Sequence, residues 1–449
     1  MKAYENAFVF SHIEDSIEKG AVSFFYELYH NGEKTEFEEK LAFPAPDTAS
    51  IANLPSDLRR TILSAVHVVL GLSYWKTRIP KELVIKGQPL TPFEAAFWNL
   101  VYTKGLGEFF YKNNIDFRGL VAFPSGRAAP TAPSSHKTGG KGALVLLGGG
   151  KDSLVTAELL KKNGIPFSFF ALNPQGIHET IAKAAGVPLI SFSRQLDAKL
   201  FELNKKSGVL NGHIPISAVY AATGILAAFL YGYDAVIASN EKSANYGNVS
   251  YLGSEINHQW SKSFEFEVAM RTQVKHTFQS ALEYFSILRP IHEFRVVELF
   301  SAYPQYFPLF VSCNVNFKVE GSGPPVWCGR CAKCAFVFLL LSAFIAKEKL
   351  VAIFGHNLFE DAALESVFEE LLGLRAMKPF DCVGTPKEAA AALFLAARSG
   401  FYANDSMFMR LLSKTQAVHK DADRLISEAR EVSGEHAIPR PFESIVSEL

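Results

Sequence analysis

The stretch ALVLLGGGKDSLVTAELLKKNG, residues 143–164, decides the fold. A continuous apolar run meets three glycines, then Lys-Asp-Ser, then apolar residues at helical spacing that end at Gly164. The first part reads as a buried strand, the last as a helix, and the glycines as the turn between them. Such a turn aims backbone N–H groups at an anion, and the helix N-terminus adds roughly half a positive charge. Glycines let the backbone approach a phosphate closely. Lys151 adds a cation. Asp152 is a poor neighbour for bare phosphate, and makes sense if Mg²⁺ intervenes or if its carboxylate holds the loop's own amides. Ser153 either caps the helix or donates to a phosphate oxygen. The spacing is neither GxGxxG nor GxxxxGK[ST], which argues against a dinucleotide fold and a Walker loop.

Downstream the pattern repeats. PFSFFAL (166–172), VPLISFS (187–193) and DAVIAS (234–239) read as strands. IHETIAKAAG (177–186) and ISAVYAATGILAAFLYG (216–232) read as the helices between them. Continuous apolar strands alternating with helices predict an α/β fold, a parallel sheet with helices on both faces. Ligands of such sheets bind beyond the carboxyl ends of the strands.

Upstream, AFVFSHI (7–13), AVSFFYELYH (21–30) and FEEKLAFP (37–44) are strand-like. Two helices follow, one over LRRTILSAVHVVLG (58–71) and one over FEAAFWNLVYTKGLGEFFYKN (93–113), the second opened by the Thr91-Pro92-Phe93-Glu94 capping box. Residues 1–118 are expected to form an α+β N-terminal domain. Residues 119–141, rich in Pro, Ser and Gly, read as a linker or a mobile loop. The core α/β domain then covers 142–335, and 336–449 is a helical C-terminal region. There FEDAALESVFEELLG (359–373) reads as one helix, and Thr385-Pro386-Lys387-Glu388 caps another that Gly400 ends.

The 449 residues carry 45 basic and 45 acidic side chains, a net charge of zero. That weighs against nucleic acid as the main partner. The N-terminus lacks a signal-peptide pattern. The apolar runs 218–239 and 335–346 are, respectively, broken at Gly232 and Asp234 and too short to span, so both are assigned to the core and no membrane is expected. Five cysteines with three in CGRCAKC are no secreted disulfide framework, and the cytoplasm is the expected compartment.

Cys328, Cys331 and Cys334 stand at CxxCxxC spacing after Cys313. Four thiolates can close a tetrahedral structural Zn²⁺ site. Free or redox thiols, a catalytic thiol and an iron–sulfur cluster share that spacing. Between the fourth strand and this cluster lies SNEKSANYGNVSYLGSEINHQWSKSFEFE (239–267), expected as a polar loop. It brings Glu241, His258 and Lys262 to the edge where substrate binds. His213 precedes a helix and either faces the same cleft or has a capping or packing role.

GGGKDS (148–153) resembles the SGGxDS loop of the PP-loop ATP pyrophosphatase family, with Gly148 in place of the usual Ser. The resemblance spans roughly 142–335. It implies an adenine nucleotide α-hydrolase-like sheet and cleavage of ATP to AMP and pyrophosphate with a substrate adenylate. It places pyrophosphate on Gly148, Gly149, Gly150, Lys151, Asp152 and Ser153, and adenine near Leu172 and Asn173. The cysteine arrangement is similar to the four-Cys zinc site of 7-cyano-7-deazaguanine synthases. Over nearly the whole chain the pattern resembles the UDP-N-acetylmuramoyl-L-alanyl-L-glutamate epimerase family of MurL type, on the FVFSHI-like N-terminus, GGGKDS, SNEKSANYGN, SEINHQWSKSFEFE and CGRCAKC. That resemblance implies ATP and Mg²⁺, the substrate UDP-MurNAc-L-Ala-L-Glu, inversion of its terminal L-Glu, and a product used in peptidoglycan synthesis. His258 and Lys262 are then the nominees for proton transfer, with Glu241 and His213 beside them. The rivals are a PP-loop amide or nitrile synthetase, an RNA-modifying enzyme, and a nucleotide-sensing module without turnover.

Overall fold

The computed structural model describes residues 4–47, 54–126, 139–278, 281–313, 315, 327–375 and 378–449. Most of the expected 119–141 linker therefore lies outside the described residues.

The strands are β1 (Ala7–Ser16), β2 (Ala21–His30), β3 (Glu33–Ala42), β4 (Glu82–Ile85), β5 (Ala143–Leu146), β6 (Phe167–Leu172), β7 (Leu189–Gln195), β8 (Ala235–Ala238), β9 (Val249–Tyr251), β10 (Ser254–Ile256) and β11 (Glu283–Ser286). Nine of them form one sheet in the order β11-β8-β5-β6-β7-β3-β2-β1-β4. The segment β11-β8-β5-β6-β7 is parallel throughout. β11 is a fifth parallel strand that the sequence reading missed. Its four residues are too short for an alternation signal.

The sheet does not end with the parallel strands. β3 pairs antiparallel with β7, Leu41 opposite Arg194, and β2 and β1 continue it. At this seam Arg194 is buried and donates from Nε to Glu39 Oε1 at 2.6 Å, while its Nη2 reaches Ser73 Oγ at 2.8 Å. The pair ties the N-terminal strands and the helix Ser56–Trp75 to the parallel half.

Successive residues of a strand point to opposite faces, and this divides the core in two. Val145 and Phe169 face the helices Lys151–Lys162, Glu293–Phe300, Ala332–Ser342 and Pro386–Ser399. Leu144 and Phe170 face Ile216–Tyr231 and the N-terminal aromatics. The apolar runs 218–239 and 335–346 are largely buried here, as expected, and no described helix is long and apolar enough to cross a membrane.

Three local expectations change. The helix expected over 93–113 breaks at Gly105 into Pro92–Lys104 and Gly107–Lys112. The one expected over 359–373 is two 3₁₀ turns and the short helix Glu365–Leu371, because the Asp361 carboxylate accepts from the Ala363 N–H and restarts the chain. The polar loop 239–267 contains an antiparallel ribbon, β9 with β10. Its turn residues Leu252 and Gly253 have φ of 51° and 80°, the two left-handed positions of a tight hairpin.

Candidate functional site

The chain runs β5, β6, β7 in one direction across the sheet, then returns to place β8 on the other side of β5. Such a reversal opens a crevice at the carboxyl ends of the two diverging strands. GGGKDS leaves β5 there and Ser239-Asn240-Glu241 leaves β8.

The glycine turn is built as its sequence demands. Gly149 takes φ of 82°, and its carbonyl accepts from the Val311 N–H at 3.0 Å. Gly150 is the N-cap of Lys151–Lys162 and supplies no side-chain cap, so the first-turn amides remain available to an anion. A Cβ built on Gly148 meets nothing within 4 Å, so the turn faces open space. The Ser239 hydroxyl at the end of β8 is buried without a hydrogen-bond partner. An open turn with uncapped amides beside an orphaned hydroxyl fits a phosphate-bearing ligand.

The polar residues of the turn behave differently from expectation. Asp152 does not hold the loop amides; its carboxylate accepts from Lys151 Nζ at 2.6 Å. Ser153 does not cap the helix; its hydroxyl donates to the Gly150 carbonyl at 3.1 Å. Lys151 is 1% exposed and also reaches Glu293 Oε1 at 2.6 Å. Glu293 in turn accepts from Lys333 Nζ at 3.0 Å. Burial opposes the Glu293 charge, but Lys151 and Lys333 hold the carboxyl at about 2. Burial, reinforced by Glu293 and Asp152, lifts Glu241 to about 7.

Leu172 and Asn173 end β6, next to β5. The Asn173 amide is engaged by β7, donating to the Arg194 carbonyl at 3.2 Å and accepting from the Arg194 N–H at 2.5 Å.

His213, His258 and Lys262 do come together, with Glu108 and Cys382 as partners the sequence did not single out. His258 Nδ1 is hydrogen-bonded to Glu108 Oε2, and His213 Nδ1 lies 3.5 Å from the same oxygen. Lys112 Nζ reaches Glu108 Oε1 at 2.6 Å. The Glu108 carboxylate thus sits between the Lys112 ammonium and the His258 ring. Burial alone would lower His258; hydrogen bonds with Cys382 and Glu108 lift it to about 9. Burial and the neighbouring His258 lower His213 to about 3, so it is neutral where His258 is charged. His213 is not a cap, since Pro215 occupies that position. Lys262 Nζ reaches Cys382 Sγ at 3.6 Å. Arg289, 1% exposed, fixes the backbone around both strand ends, donating to the carbonyls of Glu241 at 2.8 Å and Lys262 at 2.6 Å.

Glu293, Glu108 and Cys382 carried no motif, and Lys333 lay inside CGRCAKC without being singled out. One signal was available for Cys382: it is the odd cysteine left after four are grouped.

The four grouped cysteines converge. Sγ separations are 3.9 Å for Cys313–Cys331, 3.6 Å for Cys328–Cys334 and 3.4 Å for Cys331–Cys334. All four are free, and their Sγ atoms lie within 4.8 Å of one another. Tetrahedral thiolates at the usual zinc–sulfur distance stand about 3.8 Å apart. The donor set therefore fits a structural zinc. Gly329, at φ of 69°, makes the knuckle, and a Cβ there would meet His356 Cε1 at 2.7 Å.

Residues 1–287 match the MurL N-terminal domain family, and residues 309–425 match the MurL C-terminal domain family. The chain is 37% identical over 415 residues to a UDP-N-acetyl-alpha-D-muramoyl-L-alanyl-L-glutamate epimerase of Xanthomonas oryzae pv. oryzae, covering 92% of this chain and 91% of that protein. It is 36% identical over 403 residues to a protein of the same name from Salinispora tropica, covering 88% and 86%. It is 33% identical over 443 residues to another from a Micromonospora species, covering 97% of each.

Proposed function

The chain belongs to the MurL epimerase family, and on that premise we propose that it inverts the terminal L-Glu of UDP-MurNAc-L-Ala-L-Glu, using ATP to activate a glutamate carboxylate. The observation that carries the ATP part is the crevice between β5 and β8, where an uncapped helix N-terminus and an open glycine turn meet a cluster of buried charge.

The α-proton beside a carboxylate is barely acidic, because its removal creates a dianion. ATP supplies the remedy: transfer of AMP to the carboxylate neutralises it and makes pyrophosphate the leaving group. A gain of about 10 pKa units at Cα is worth roughly 14 kcal/mol. This is PP-loop chemistry, with Gly148, Gly149, Gly150 and Ser153 around the phosphates and Leu172 and Asn173 toward the adenine. Asp152, beside Lys151, and Glu241 would be the carboxylates available to Mg²⁺. Lys151 and Lys333 keep Glu293 ionised and so fix the charge behind the loop. A zinc held by Cys313, Cys328, Cys331 and Cys334 would brace Lys333, which stands between two of these cysteines, and its part would be structural. The product supplies peptidoglycan synthesis in the cytoplasm.

Incubating the UDP-dipeptide with ATP and Mg²⁺, then hydrolysing it and separating the glutamate enantiomers, tests the reading. D-Glu with AMP and pyrophosphate is expected. ADP with orthophosphate, or unchanged L-Glu, would overturn it.

A further inference from the structure

The segment 378–385 lies far along the chain from the loop 239–263, yet it is stitched onto it. Asn248 Nδ2 donates to the Pro379 carbonyl at 2.7 Å, Gln259 Nε2 to the Val383 carbonyl at 3.0 Å, and Lys378 Nζ to the Tyr246 carbonyl at 3.1 Å. These bonds set the partly buried Cys382 thiol against Lys262 and His258. We propose that Cys382, held as a thiolate between the Lys262 ammonium and the His258 imidazolium, is the base that removes the substrate's Cα proton. The assignment rests on the epimerase reading.

The cations that act on Cys382 come from three parts of the chain. Lys262 and His258 lie on the loop after β10, Lys378 on its own segment, and Lys333 on the helix Ala332–Ser342. All four are bases. Burial would raise the thiol, but Lys262 and His258 outweigh it and lower it to about 6. A thiolate beside cations is the ordinary route to a reactive cysteine. A base whose ionisation lies near the working pH transfers protons most effectively.

The 3.6 Å between Sγ and Lys262 Nζ is too short to admit a carbon between them, so the two groups serve one face of Cα. The thiolate takes the Cα proton; the S–H bond forms, the Cα–H bond breaks, and the electron pair passes onto the oxygen of the activated carbonyl as an enolate. Water protonates Cα on the opposite face and becomes hydroxide. The thiol returns its proton to that hydroxide, which regenerates the thiolate and water.

The test compares the wild-type protein with Cys382→Ser in D₂O, with the UDP-dipeptide, ATP and Mg²⁺. Serine keeps the shape but is a far weaker acid. Deuterium entry at Cα is expected to slow by about 10²–10⁴-fold, while substrate-dependent pyrophosphate release continues. Exchange at the wild-type rate overturns the assignment. Loss of pyrophosphate release together with exchange also overturns it, since Cys382 would then assemble the site and not act at Cα. Independently of any variant, alkylation of the wild-type protein by iodoacetamide, read on the Cys382 peptide by mass spectrometry, is expected to follow a midpoint near 6 and to slow with the UDP-dipeptide bound. A midpoint at the ordinary thiol value of about 8.5 overturns it. Wild-type protein that releases no pyrophosphate with the dipeptide removes the epimerase reading itself, an outcome the alkylation profile does not mimic.

Discussion

Lys151 and Glu293 meet at 2.6 Å with both side chains buried, although 142 residues separate them in the chain. Lys151 opens the helix after β5, and Glu293 opens the helix after β11. The pair therefore joins the glycine turn to the far edge of the parallel sheet, and Lys333 joins both to the cysteine cluster.

Lys151→Met removes one of the two ammoniums that keep Glu293 ionised. Breaking a buried pair on one side costs about 3 kcal/mol here, the low end of the usual range because Lys333 remains. Urea unfolding should show that loss, and pyrophosphate release should fall with it. The pH dependence has a definite sign. Glu293 is held at about 2, below its ordinary 4.5, so its contribution is complete above pH 4.5 and is lost as pH falls toward 2. Wild-type and Lys151→Met stabilities should therefore converge in that window. Parallel curves would show that the pair does not hold the turn.

Gly149→Ala places a side chain at φ of 82°. The strain of a left-handed L-residue is about 1–2 kcal/mol. Relief requires the turn to rotate, which would pull the Gly149 carbonyl from the Val311 N–H. Affinity for ATP should weaken more than global stability, measured by nucleotide titration against the melting temperature. An unchanged affinity would place phosphate elsewhere.

The seam between the two halves of the sheet is open to a double-mutant cycle. Glu39→Leu or Arg194→Met alone leaves a charge buried at the β3–β7 pairing and should cost about 3–5 kcal/mol. Glu39→Leu with Arg194→Met removes both charges and should recover most of that loss. If the seam couples the halves, either single variant lowers one cooperative transition. A split into two transitions would show that they fold separately.

Four thiolates at 3.4–3.9 Å predict about one zinc per chain by elemental analysis. Cys331→Ser should lose that metal. It should also loosen the start of Ala332–Ser342, because the Cys331 sulfur accepts from the Cys334 N–H. Hydrogen exchange across 332–342 would rise in the variant. Iron in place of zinc, with visible absorbance, would identify a cluster instead.

What the sequence disclosed was local. Three glycines between an apolar run and a helical period reveal a strand, a turn and a helix without reference to the rest of the chain. The Thr385 capping box and Gly400 bracket their helix correctly for the same reason, each signal lying within four residues of the end it marks. Glu108, Glu293 and Cys382 were not legible because their partners lie 150, 142 and 120 residues away. The polar residues of 239–263 were identifiable as a group, but not as buried ones. Gln259, at 3% exposure, is bonded to Val383 of the C-terminal region, and Glu241, at 4%, is enclosed with Glu293 and Arg289, which no local pattern announces.

His258 links Glu108 on one side to Cys382 on the other. Cys382 ionises at about 6 and His258 loses its proton at about 9. Deuterium exchange at Cα should then rise with pH through 6, as the thiolate forms, and fall through 9, as the imidazolium beside it is lost. Glu108 sustains the upper limb, since its carboxylate, held at about 2, is one of the two groups that keep His258 charged. Glu108→Gln should move the upper limb to lower pH and leave the lower limb, set chiefly by Lys262 against burial, in place. The same linkage acts on stability. The folded value of His258 lies above its ordinary 6.5, so its contribution is full below that pH and is lost as pH rises through about 9. The stability gap between wild type and Glu108→Gln should narrow above pH 9. Exchange profiles that coincide in the two proteins would detach Glu108 from the proton transfer and leave it a purely structural partner of Lys112.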